Sequence, residues 1–114
     1  MMSSMSMSPV ALQILKQLNK IETIMLDLGL VVEQPPHDRA FDSELPFCCD
    51  QMQFHEWVQF VLIPGTRYSL SMRQPPPYRS PLSVVAETEM AGLSQDTNEL
   101  LLAIRELDEL FRQL

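Results

Sequence analysis

Positive charge is scarce in this chain. Its 114 residues carry 8 Lys and Arg against 15 Asp and Glu, a formal net charge of −7. The lysines are Lys16 and Lys20, and the arginines are scattered singly from Arg39 to Arg112. Affinity for nucleic acid comes largely from neutralised phosphates, so this balance speaks against direct binding to RNA or DNA and for a neutral or basic partner. Glycine is scarcer: three isolated residues cannot build a phosphate-cradling loop. The two cysteines, Cys48 and Cys49, are adjacent. Their side chains point apart, which suits neither a disulfide framework nor the spaced pair of a zinc site. Inert, reduced thiols are expected, in keeping with a cytoplasmic protein. No apolar run approaches the ~20 residues of a membrane-spanning helix. Residues 1–8 are Met/Ser-rich without the basic stretch of an export signal. They are expected to form a disordered lead, in which Met1, Met2, Met5 and Met7 all stand as possible starts.

The remaining residues, 9–114, have the length of a single domain, and helical periodicity dominates them. Ser8-Pro9 reads as an N-cap followed by proline at the first helical position. Ala11, Ile14, Leu15, Leu18, Ile21, Ile24, Met25 and Leu28 then recur on one helix face, and Gly29 is placed to end it. From Leu30 to Leu45 the periodicity disappears, predicting a long proline-containing loop pinned by Phe41 and Leu45. Asp50, with Gln53 three residues on, has the form of a capping box for a second helix. There Phe54, Trp57, Val58, Phe60, Val61 and Leu62 cover more than half the circumference, and only His55, Glu56 and Gln59 stay polar. Pro64-Gly65 should kink or end this helix.

Gln74-Pro75-Pro76-Pro77-Tyr78 predicts a stiff connector. A short helix follows over Val84–Leu93, with Glu89 and Met90 near its centre. Asp96, with Glu99, should start the last helix, whose face is Leu100, Ile104, Leu107, Leu110, Phe111 and Leu114. No strand pattern is convincing. The fold class is therefore an all-α bundle of about four helices with a Pro-kinked central helix.

The chemistry-bearing residues gather in the block from Pro46 to Pro64. A nucleophilic pair of Cys48 or Cys49 with His55 needs an orienting group, and Asp50 is already needed as a cap. Glu87 and Glu89, two apart on a helix, diverge rather than share a site. No catalytic residue, metal or cofactor is expected. The candidates for binding a ligand or partner are Asp50, His55, Glu56, Trp57, Gln59 and Glu89. If Trp57, Gln59, Asp50 and Glu89 converge, they would form a polar cluster in an apolar pocket suited to a small molecule. The competing expectation is that Trp57 is core and the protein works through protein contacts, as a monomer or weak homodimer.

The run Pro46-Phe47, Asp50, Phe54, Trp57, Gln59, Val61, Ile63-Pro64 resembles the signature of the YqcC-like family, small bacterial helical proteins of unknown function. Gln74-Pro75 and Glu89-Met90 extend the similarity, which spans residues 9–114. Gln51 stands where the family has threonine, and Gly65 where it has arginine, with Arg67 two residues beyond. The resemblance implies an all-α bundle and an association with tRNA pseudouridine synthase C, whose gene lies beside those of the family. It does not imply that activity, because a pseudouridine synthase needs a catalytic aspartate on a larger α/β scaffold.

Overall fold

Ser8 starts the first helix as its residues predict. In the computed structural model, which describes residues 8–43, 47, 51–78 and 81–114, the Ser8 hydroxyl accepts the Ala11 N–H at 3.1 Å. Helix α1 runs Pro9–Asp27 and buries Ala11, Ile14, Leu18, Ile21, Ile24 and Met25, the expected stripe. Gly29, at φ 73°, ends it. The Gly29 N–H reaches the Leu26 carbonyl and the Leu30 N–H the Met25 carbonyl, the paired bonds of a Schellman cap.

The following segment is not wholly irregular. A 3-10 turn spans Asp38–Asp42, and Ala40, fully buried, anchors it where Phe41 was expected. Phe41 stays exposed. A methyl group fills the close approach of this turn, whereas a phenyl ring there would need more room. Leu45 lies outside the described residues, as do Cys48, Cys49 and Asp50 and the lead through residue 7.

Helix α2 covers residues 54–71 and begins later than the Asp50 box predicts. Its cap is Gln53, whose N–H donates to the Glu56 carboxylate at 2.8 Å. A charged acceptor in the first turn makes the stronger bond and suits the positive end of the helix. The helix neither ends at Pro64 nor continues as plain α. An α-helical turn, Phe54–Trp57, opens into a π-helical segment, Val58–Leu62, and returns to α-helix over Ile63–Ser71. Proline cannot donate to the carbonyl four residues back, and its ring crowds the preceding turn. The wider turn directly before it absorbs both demands.

The proline run after α2 is more than a connector. Pro76 is buried, and the Tyr78 hydroxyl donates to the Val61 carbonyl at 3.0 Å. It passes through the space that Gly65 leaves: a Cβ at Gly65 would sit 1.9 Å from that oxygen. The glycine that departs from the family pattern thus makes room for the tyrosine.

Helix α3 (Leu82–Glu89) starts two residues before the predicted Val84. Its cap comes from the other end of the sequence: buried Asp108 accepts the Leu82 and Ser83 N–H groups at 2.7 and 2.9 Å. Helix α4 (Asn98–Arg112), by contrast, starts one residue later than a cap at Asp96 predicts, and Asp96 accepts the Asn98 N–H. Leu100, Ala103, Ile104 and Leu107 are its core face, while Leu114 is exposed.

These four helices form one all-α bundle, without a strand among the described residues. Leu114 lies beside Ser8 and Ala11, and Glu106 beside Gln17 and Lys20, so α1 and α4 run antiparallel. Leu70 lies near Ala11, and Arg67 binds Glu22, so α2 also runs antiparallel to α1. That second contact is a fork: Arg67 holds both Glu22 oxygens, at 2.6 and 3.1 Å, and the Asn19 side chain at 2.7 Å. The arginine displaced from its family position therefore does pair with an acidic group.

Candidate functional site

The tryptophan block has two faces. Inward, Trp57 is almost fully buried. Phe47 and Tyr78 meet it edge-on, with ring centroids at 4.8 and 5.4 Å, and Phe54 stacks at 5.8 Å. Phe47 holds its place with φ 57°, a left-handed conformation costly for a bulky residue. Burial pushes the Tyr78 hydroxyl above the usual tyrosine value of 10.0, because the phenolate would lose its water.

Outward, the polar strip holds the chain itself. His55 Nδ1 lies 3.1 Å from the Leu30 carbonyl and donates to it when that nitrogen carries the proton. One turn on, Gln59 donates to the Val32 carbonyl at 2.9 Å and accepts the Val32 N–H at 3.0 Å. This amide mimics a neighbouring strand, so both backbone groups of Val32 are satisfied. Glu56 is occupied at the Gln53 cap.

The structure thus brings His55 and Gln59 together on residues 30–32 and turns Trp57 into the core. Glu89 is exposed at the end of α3 and shares no hydrogen bond with the others among the described residues. Asp50 lies outside them. No cluster of three His, Cys, Asp or Glu side chains placed to hold a metal occurs among the described residues. No helix there is long and apolar enough to cross a membrane.

Holding residues 30–32 against α2 has a second effect. It shapes a groove of about 260 Å³ lined by Glu22, Met25 and Leu26 of α1, Val31, and Gln59 and Ile63 of α2. Leu26 is 66% exposed at its edge and Val31 38%. Drug-sized ligands need roughly 300–1,000 Å³, so the groove is sized for one or two aliphatic side chains. Sequence reasoning missed it. The available signal was Leu26, an apolar residue off the buried stripe of α1, next to a helix end.

The surroundings are acidic. Residues 21–37 contain Glu22, Asp27 and Glu33 and neither Lys nor Arg. Asp27 occupies the last turn of α1, which has no basic residue. A carboxylate at the negative end of a helix dipole costs about 0.3–1 kcal/mol. Arg67 is already committed to Glu22. A larger concavity, about 490 Å³, lies at the other end of α1 among Ser8, Ala11, Leu70, Arg73, Gln74, Pro75 and Leu114, and none of the sequence candidates lines it.

The chain is thus a small all-α bundle with a buried aromatic block, a self-bound polar strip and an open groove. The family model DUF446, described as tRNA pseudouridine synthase C, matches residues 13–110. An uncharacterized protein of Haemophilus influenzae is 32% identical over 95 residues, covering 83% of this chain and 89% of that one. The uncharacterized protein YqcC of Escherichia coli is 33% identical over 94 residues, covering 82% of this chain and 84% of that one. No solved structure matches. The chain belongs to the YqcC-like family.

Proposed function

We propose that this protein is a non-catalytic interaction module of the cytoplasm, working by protein contact with a tRNA-modifying enzyme, tRNA pseudouridine synthase C. The observation that carries this reading is how its polar groups are used. His55, Glu56 and Gln59 spend their hydrogen bonds on the chain's own backbone, while the apolar groove beside them stays open. A surface of that kind suits a partner's side chains better than a reaction. The description of the matching family supplies the enzyme's name. The net charge of −7 favours contact with the enzyme over contact with its tRNA.

Co-purification of this protein with the synthase from the same organism tests the reading. A complex is expected at low salt, where charge attraction is strongest, and it should persist after nuclease treatment. Absence of a complex at low salt, or its loss with the RNA, would contradict the proposal.

A further inference from the structure

We infer that the groove between the end of α1, Val31 and the π-helical part of α2 docks a basic amphipathic helix of a partner protein, an aliphatic side chain entering between Leu26, Val31 and Ile63. This inference deepens the contact-module reading and rests on it. The shape argument comes from size and exposure. The cavity, about 260 Å³, is lined largely by Met25, Leu26, Val31 and Ile63, and Leu26 and Val31 are left to solvent at its rim. Helices dock in such grooves through side chains spaced three and four residues apart.

The charge argument is independent of shape. Glu22 lines the groove, Asp27 follows Leu26, and Glu33 lies two residues beyond Val31. Asp27 and Glu33 are exposed and make no ion pair among the described residues. Arg67, which reaches Glu22, is held in its fork. Asp27 sits where a helix favours a cation, so the isolated protein keeps a charge that its own helix disfavours. Lysines or arginines flanking the incoming aliphatic residue would complement Asp27 and Glu33, the two carboxylates here that make no ion pair among the described residues. A second copy of this chain, acidic in the same place, would repel there.

The test uses a model helix of about 18 leucine and lysine residues, long enough to be helical, titrated into isotopically labelled full-length protein. The NMR signals of Leu26, Val31 and Ile63 should move first. Leu26→Asp adds attraction for lysine but deletes the apolar rim, and it should weaken binding at least about tenfold. Asp27→Lys leaves the rim and reverses the charge. It should weaken binding by roughly three- to tenfold at low salt while the thermal midpoint does not fall. Val31→Asp repeats the first variant from the other rim should Leu26→Asp fail to fold.

A leucine–glutamate helix and a serine–lysine helix should both bind at least about tenfold more weakly. Equal binding by either, signals moving elsewhere, or indifference to both variants would overturn the proposal. So would movement of the same signals on concentrating the protein alone, which would make a second copy the occupant. Failure here is separable from failure of the functional reading. A synthase complex untouched by Leu26→Asp removes the groove and keeps the partner, whereas peptide docking without a synthase complex does the reverse.

Discussion

The two faces that residues 55–63 of α2 present differ in how much they leave undone. On the tryptophan side, four rings pack at 4.8–5.8 Å, and the tyrosine hydroxyl among them has its acceptor. A few residues away, Leu26 and Val31 rim a groove, and Asp27 and Glu33 beside it make no ion pair among the described residues. Rings that cover one another take their apolar surface out of water, and so the first region is closed. The second is open because nothing within the described residues reaches it. The closed region stabilises the protein, and the open one is where we place the partner contact.

Substitutions should separate the two. Trp57→Ala removes the centre of the ring cluster and is expected to cost about 3–5 kcal/mol, read by circular dichroism during denaturation. A loss below about 1 kcal/mol would make Trp57 a binding residue instead. Gln59→Leu should cost about 1 kcal/mol, since two hydrogen bonds to the part-buried Val32 backbone disappear. Faster hydrogen exchange at the Val32 amide would accompany it.

Tyr78→Phe should cost about 1 kcal/mol through the Val61 carbonyl, and it carries a pH signature. The folded protein holds the Tyr78 proton more tightly than the unfolded chain does. Stability from this group is therefore complete below pH 10 and falls as pH rises through the raised value. The difference between wild type and Tyr78→Phe should shrink in that range, as measured by denaturant midpoints. Leu26→Ser, at the open groove, should change stability by no more than about 0.5 kcal/mol. A larger loss would mean that the groove wall belongs to the core.

Local physics was legible in the sequence wherever one turn of helix decides the outcome. The Ser8-Pro9 start, the α1 stripe and the Gly29 stop are all short-range signals, and so is the apolar girth of α2. Partners distant in the chain were not legible. Asp108 caps α3 from more than twenty residues away, so a helix start without a local cap was read two residues late. Helix α2 is capped by Gln53 with Glu56 and not from Asp50, and the N-cap preference for Asp gave no sign of it. Arg73, at φ 56°, ends α2 in a conformation that usually announces itself with glycine. At the site, His55, Glu56 and Gln59 were recognised as the polar strip, but which backbone they hold depends on the path of residues 30–32. Glu89 was grouped with Trp57, Gln59 and Asp50 as a possible polar cluster, and on the exposed end of α3 it shares no hydrogen bond with Trp57 or Gln59 among the described residues.

The central claim is that the tryptophan block is structural and the groove is the contact surface. Titrating tRNA pseudouridine synthase C into the labelled protein tests it most directly. The account predicts attenuation of the Leu26, Val31 and Ile63 signals while the Trp57 indole signal stays in place. Movement of the Trp57 indole and Glu89 signals, with the groove unchanged, would contradict it.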